Sequence, residues 1–324
     1  MFKLERYPSN PILAKNPDNH WEAGSVLNPC VIRDGEVFRM FYRATNDTKI
    51  KEKGGYISSI GYAESLDGLS WTRYAEPVLA PSETYDADGC EDARVTKIGD
   101  TYFMHYTAIS WDRQGKKVRV ALATSKDARN WTKYGVVGPS GSRSKAATLF
   151  PERIQGKYWW FYTWEADRPA STIMSVAADS LEDVLSPPAG QVAYTIENYD
   201  KWAVFAPPAK SATFRGPEVG APPIKTDKGW LFIYCNANTG ATPRWTVKAA
   251  LLDLNDPRKV IAETPWPILE PETEDEVTGV VNNVTFPEGA VVVGDELYVY
   301  YGSGDQGCCL ATCRMDDLIA SICN

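Results

Sequence analysis

The sequence predicts an all-β protein, a single five-bladed β-propeller over residues 1–324. Three observations point there: a hairpin pattern that recurs five times, a scarcity of helix-period stretches, and aromatic residues spread through short strand-like runs. The first hairpin is Val31-Ile32-Arg33-Asp34-Gly35-Glu36-Val37-Phe38-Arg39-Met40-Phe41-Tyr42, in which Asp-Gly between two apolar runs signals a tight turn. Residues 95–106, 152–162, 223–234 and 290–301 share its outline. They turn at Gly99-Asp100, Gln155-Gly156, Asp227-Lys228-Gly229 and Gly294-Asp295. Each unit closes on a tyrosine: Tyr42, Tyr106, Tyr162, Tyr234 and Tyr301. A further strand follows each tyrosine after a variable loop, at residues 60–65, 118–125, 173–178, 247–252 and 309–314. A four-stranded antiparallel unit repeated roughly every 65 residues is how a propeller protects its sheet edges, by radial repetition. Two stacked sandwiches would match the strand number but not five similar hairpins.

Length and composition agree with one large all-β unit: 324 residues, 44% hydrophobic, with 11 Trp and 17 Tyr able to pack sheets and, in part, to stack on sugars. The net charge of -8 and the lack of a basic run exclude nucleic acid and an anionic membrane surface as partners. Met1-Phe2-Lys3-Leu4-Glu5-Arg6 has no apolar signal core and no run reaches membrane-spanning length, so a cytoplasmic location is expected. The seven cysteines lack zinc-site spacing and are expected as free, mostly buried thiols. Neither a metal nor a cofactor is expected. His20 and His105 are the only histidines, and His105 lies inside an apolar strand, which leaves a Ser-His-Asp triad little to work with. The acidic run at 270–276 is read as a solvated loop. A homo-oligomer is compatible with the sequence.

In a propeller the residues just ahead of each inner strand gather around one opening. Counting back from the five tyrosines places Asn28, Asp92, Thr148, Gly220 and Pro287 there. Arg43, Asn46, Arg94, Lys145, Glu165, Glu218, Asn283, Glu288 and Asp305 lie nearby in the chain. Carboxylates converging on a pocket flanked by aromatics are what glycosidic bond cleavage requires, one to protonate the departing oxygen and one to activate a nucleophile. Loops 46–58 and 189–215 are expected to shape the outer part of such a pocket. Glu91 and Asp92 are neighbours on a strand and should point to opposite sides, so Glu91 is assigned to supporting Arg94 or the sheet.

Four segments also carry a resemblance. Glu91-Asp92-Ala93-Arg94, Leu149-Phe150-Pro151-Glu152-Arg153-Ile154-Gln155-Gly156-Lys157-Tyr158, Gly220-Ala221-Pro222-Pro223-Ile224-Lys225-Thr226 and Phe286-Pro287-Glu288-Gly289-Ala290 resemble motifs of glycoside hydrolase family 130. That family comprises β-mannoside phosphorylases and β-mannosidases on five-bladed propellers, and the motifs occur in its order over nearly the whole chain. The resemblance implies a mannose-containing oligosaccharide as substrate, Asp92 as proton donor acting through a sugar hydroxyl, and Arg94 as sugar ligand or orienter of the acid. It places Arg43 near the substrate and anion pocket and Asp305 on sugar hydroxyls. Asn28, Asn46, Lys145 and Asn283 complete the expected substrate-binding set.

Departures from the family pattern bear on the nucleophile. Phosphorylases of the family carry a lysine just before the Gly-Ala-Pro-Pro-Ile motif and a histidine after the next strand's tyrosine. Here those places read Gly216-Pro217-Glu218-Val219 and Tyr234-Cys235-Asn236. A carboxylate in place of a cation should repel a phosphate dianion. The leading expectation is therefore an inverting β-mannosidase on β-1,2-linked mannosides, with water as nucleophile, Glu218 as general base and Glu165 as second candidate. A phosphorylase whose phosphate site is rebuilt from Arg43, Arg94, Lys145 and Arg153 is the rival. A non-catalytic carbohydrate-binding propeller is the third reading.

Overall fold

The computed structural model describes residues 1–46, 55–165, 170–207, 214–238 and 242–323. Its hairpins form where the turn chemistry demands. Gly35, Gly99 and Gly294 take φ of 63°, 62° and 63°, and a Cβ on any of them would meet open space. Glycine serves there for its left-handed backbone and not for room. Gln155 and Gly156 both have positive φ, 50° and 78°.

The strands build four sheets, and the all-β expectation holds. The largest contains two antiparallel runs, Ser25–Asp34, Val37–Thr45, Ser58–Ser65 with Thr72–Arg73, and Gly89–Ile98, Thr101–Asp112, Gly115–Ser125 with Thr132–Val136. A parallel Ser58–Gly89 bridge joins them. The next sheet is Arg143–Leu149, Tyr158–Glu165, Thr172–Ala178 and Ala203–Phe205. Helices Leu181–Leu185, Gln191–Glu197 and Tyr199–Trp202 precede its last strand, and Ser180 caps the first of them by accepting the Asp183 N–H. Phe214–Glu218, Trp230–Asn238, Arg244–Leu252 and Val260–Glu263 form the third sheet, with Ile224–Lys225 beside its second strand.

The last sheet, Thr285–Val293, Glu296–Ser303 and Gly307–Arg314, takes its outermost strand from the other end of the chain. Glu5 and Arg6 pair with Thr312 and Ala311. The junction is pinned by a buried carboxylate: Arg6 Nε and Nη2 donate to Glu276 Oε1 and Oε2 at 2.8 and 2.9 Å, and the Tyr301 hydroxyl donates to Oε1 at 2.8 Å. Residues 272–275 of the acidic run are exposed, as expected, but Glu276 is not solvated. Glu276 caps the short helix Glu274–Val277, and although burial alone would raise its pKa, Arg6 and the backbone N–H groups hold it below the usual range.

The core lies between successive sheets. Phe41 and Tyr62 pack on Val95 and Met104, Phe103 and Leu122 on Leu149 and Trp160, and Phe161 and Ile173 on Phe232. Ile233 and Val247 pack on Val299 and Tyr301. Tyr300 and Leu310 return to Phe38 and Met40 of the first run. All seven cysteines are free and five are buried. No described helix is long and apolar enough to cross a membrane.

His105 is fully buried and stacked on Trp160, with ring centroids 5.4 Å apart, and neither ring nitrogen has a hydrogen-bond partner. Burial pushes its pKa down to about 3. The unfolded chain takes up a proton at the ordinary histidine pKa while the folded one does not, so stability is lost as pH falls below that value. The expected slope from this residue is about 1.4 kcal/mol per pH unit. Urea unfolding of His105→Phe and wild type at pH 4, 5, 6 and 7 should show the variant's acid-side decline flattened by that amount; parallel curves would refute the assignment.

Candidate active site

The inner strands are not regular. Their registers shift between Leu27 and Cys30, Glu91 and Arg94, Lys145 and Ala147, and Pro287 and Gly289. Non-glycine residues sit in the left-handed region at three of these bulges, Asn28, Asp92 and Ala146, at φ of 51°, 53° and 47°. An extra residue in a strand re-aims the side chains around it. One consequence corrects the alternation argument: Glu91 and Asp92 both line the same cavity.

That cavity, about 300 Å³, draws Asn28, Arg43, Asp92, Lys145, Glu218 and Asp305 together from segments far apart in the chain. Sequence reasoning named all six. It missed Tyr56, Lys116, Arg143, Trp245 and Phe286, which line the same space. Trp245 and Phe286 belong to the apolar class that stacks on sugar faces, but among so many aromatics nothing marked these two. Thr148, Gly220 and Pro287 are displaced from the lining because the bulges shift the count.

Arg43 organises one side. Its Nη2 donates to Glu91 Oε1 at 2.8 Å and to the Tyr56 hydroxyl at 2.9 Å, and its Nη1 donates to Asp92 Oδ1 at 3.3 Å. Ser58 Oγ donates to Glu91 Oε1 at 3.1 Å. Glu91 therefore supports Arg43 and not Arg94. Asn28 Nδ2 donates to Asp92 Oδ1 at 2.9 Å, leaving the buried Asn28 Oδ1 unpaired. Burial raises the pKa of Asp92, but Arg43, Arg94 and Asn28 outweigh it and hold the carboxyl below its ordinary value. Asp92 is thus charged at neutral pH, the opposite of what a resting proton donor needs.

Lys145 organises the other side. Its Nζ lies 2.9 Å from both Glu165 Oε1 and Glu218 Oε2. Arg143 Nε donates to Glu165 Oε2 at 3.1 Å. Glu218 is almost fully buried, whereas Glu165 stands behind Lys145 and does not line the cavity.

Three expected ligands are elsewhere. Arg94 lies behind the lining, completely buried: Nη1 donates to Asp92 O at 2.8 Å, Nε to Gly220 O at 3.1 Å and Nη2 to Val219 O at 2.9 Å. It supports the site and does not face a sugar. Asn46 accepts the Ile57 N–H at 2.8 Å and closes the ends of a loop whose residues 47–54 are outside the described set, as are 208–213 of the second expected outer loop. Asn283 is left-handed at φ 61°, and its carbonyl accepts the Trp245 N–H at 2.9 Å, which fixes that aromatic. Among the described residues no group of three or more His, Cys, Asp or Glu could hold a metal ion.

A family model described as beta-1,4-mannooligosaccharide phosphorylase matches residues 3–323. The chain belongs to glycoside hydrolase family 130. It is 36% identical over 318 residues to a 1,2-beta-oligomannan phosphorylase of Thermoanaerobacter sp. (strain X514), covering 98% of this chain and 99% of the relative. It is 38% identical to a beta-1,2-mannobiose phosphorylase of the same organism, covering 94% and 95%. The solved beta-1,2-mannobiose phosphorylase of Listeria innocua in complex with beta-1,2-mannobiose superposes with a TM-score of 0.79 at 25% identity, over 98% of this chain and 99% of that one. A family-43 glycoside hydrolase shares the fold alone, with a TM-score of 0.64 at 16% identity over 90% and 89% of the two chains. The chain is thus similar throughout to mannoside-processing enzymes. Its relatives at 36% and 38% identity use phosphate, contrary to the leading expectation of water.

Glu288 closes the buried cluster. Its Oε1 is 2.9 Å from Arg94 Nη2 without a directed hydrogen bond, and both side chains are fully buried. Burial raises its pKa well above the usual carboxylate range, against the pull of Arg94. Arg94→Leu strips three carbonyls and the acid of their partner and should cost about 3–5 kcal/mol of stability. Glu288→Gln keeps the shape and removes a carboxyl whose charged form burial disfavours, and should cost about 1 kcal/mol or less. Guanidinium unfolding of the two variants measures this order, and an equal cost would refute it.

Proposed function

We propose that the chain cleaves β-1,2-mannosidic bonds of manno-oligosaccharides by transfer to inorganic phosphate, giving mannose 1-phosphate, at the centre of a five-bladed propeller. The observation that carries the nucleophile is the cation set of the cavity. Arg43, Lys116, Arg143 and Lys145 line it together, and Lys116 and Arg143 bring charge that the sequence reading did not anticipate. Arginine and lysine are the residues that hold phosphate, the first by its planar fork and the second as a point charge.

Glu218 is not a bare carboxylate. Lys145 Nζ, at 2.9 Å, compensates that charge, so an entering dianion does not meet an isolated anion. The whole-length relatives that act on 1,2-beta-oligomannan and beta-1,2-mannobiose support phosphate and the β-1,2 linkage alike. The propeller reading is supported by the core, five of whose apolar clusters each bridge successive antiparallel runs, the last returning to the first.

Hydrolysis is the second reading, favoured by one feature. Glu218 is a nearly buried carboxylate in the cavity at the place where the family's phosphorylases carry lysine, and it would take a proton from water. In either case Asn28, Asp92 and Asp305 receive sugar hydroxyls while Trp245 and Phe286 offer apolar faces to the rings.

Incubation of the enzyme with β-1,2-mannobiose, with and without phosphate, decides between the readings. Mannose 1-phosphate should form with phosphate, and turnover in its absence should be lower by at least 100-fold. Free mannose alone, at equal rates in both buffers, would establish the hydrolase; mannobiose binding without any turnover would establish a sugar-binding propeller.

A further inference from the structure

The hairpin of Thr101–Asp112 and Gly115–Ser125 outruns the inner strand it flanks. Gly89, the first residue of that strand, pairs with Ile109, so residues 110–117 extend beyond it at the end where Glu91 and Asp92 line the cavity. Residues paired across an antiparallel ladder share a face, and the faces alternate along each strand. The two faces of this tip differ in chemistry. On one, polar groups pair within the hairpin: Arg119 Nη2 donates to Ser110 Oγ, while Lys117 Nζ donates to Gln114 Oε1 at 2.9 Å and lies 3.3 Å from Asp112 Oδ2. On the other lie Thr107, the Ile109–Val118 pair and the Trp111–Lys116 pair.

Thr107, Ile109, Val118 and Lys116 line the cavity, and Trp111 is the next step of the same row. Exposure rises along it from 1% at Thr107 and 3% at Ile109 to 54% at Trp111. Among the described residues no ring or cation stacks on the indole. Its backbone is nevertheless fixed, since the Trp111 N–H donates to Asp88 Oδ2 at 2.9 Å and the Gln114 N–H closes the turn on Asp112 Oδ1 at 2.7 Å.

We propose that Trp111 is an outer sugar subsite that sets the preferred chain length: a mannosyl unit beyond those held in the cavity lays its apolar face on the indole. This rests on the mannoside-cleaving reading above and extends it from the bond to the length of the substrate. Two residues along a strand advance about 7 Å, close to the span of one sugar ring. The indole thus stands one unit further out than the Ile109–Val118 pair, on the same wall. A sugar suits this place better than an apolar partner. The ring offers a flat apolar face with an N–H at its edge, and Lys116 beside it supplies a donor for hydroxyls. Arg113, Gln114 and Lys116 around it are exposed and polar, so the indole stands alone and forms no broad apolar patch of the kind a second copy would cover. Such a platform binds the ground state and the transition state alike, and therefore acts on KM and not on kcat.

The test measures kcat and KM for β-1,2-mannobiose and β-1,2-mannotetraose, with phosphate present, in wild type, Trp111→Ala and Trp111→Phe. Wild type should show a KM about tenfold lower for the tetraose. Trp111→Ala should erase that advantage by raising KM for the tetraose alone, and Trp111→Phe should keep most of it. Equal KM values for the two sugars in wild type, equal losses on both sugars in Trp111→Ala, or a fall in kcat would overturn the proposal. Unchanged KM values together with an oligomer lost in Trp111→Ala would show that a second copy covers the indole instead. Fluorescence titration in phosphate-free buffer reads binding without turnover. Mannotetraose should change tryptophan emission more than mannobiose does in wild type, and that difference should vanish in Trp111→Phe; a difference that persists there refutes the subsite. Failure of wild type to cleave either sugar refutes the mannoside-cleaving reading, and the titration still decides for or against Trp111.

Discussion

The candidate site depends on a guanidinium that never touches the cavity. Arg94 donates to the carbonyls of Asp92, Val219 and Gly220 and faces Glu288, and so ties three sheets at one buried point. Backbone carbonyls inside a protein need donors, and a bulge leaves some of them outside the ladder. One charged side chain meets that need for the strand carrying Asp92 and for the segment carrying Glu218. The strand carrying Asp92 and the segment carrying Glu218 are thus joined through a single group, which faces the buried Glu288.

Two further clusters apply the same principle at the cavity wall. Arg43 gathers Glu91, Asp92, Tyr56 and Ser58, and Lys145 gathers Glu165 and Glu218. Each cation has more than one anion within reach, so none of the three named carboxylates of the lining stands alone. Charges paired in this way are held in fixed geometry at low reorganisation cost, the condition under which an electrostatic site acts on a developing charge. An anion entering the cavity would compete with these carboxylates for the same cations.

The strands, hairpin turns and six cavity residues were legible because they follow local rules: Asp-Gly turns, apolar alternation, and tyrosines at a common place in each unit. What escaped the sequence was non-local or depended on a shift of one residue. Glu91 joined the cavity because the strand bulges beside Asp92, and Arg94 left it because the same bulge turns its side chain inward. Arg143 shares the strand of Lys145 at a spacing of two, whereas Lys116 reaches the cavity only because separate sheets converge. The acidic run ending in Glu276 looked solvated because its partner, Arg6, is at the far end of the chain. Nothing local in the sequence shows that Glu218 and Lys145, from different sheets, meet at 2.9 Å.

Residues 5 and 6 lie at the edge of the sheet formed by residues 285–314. During synthesis this strand emerges long before its partner, so it waits, unpaired, while the sheets between them are made. Four of the five packed interfaces can form in order as the chain emerges, but the fifth joins the last run to the first and cannot be laid down early. Contacts of such sequence separation form late in folding. Until that final seam is made, the cavity lacks the segment carrying Asp305, and binding competence should therefore appear with the last sheet and not accumulate gradually.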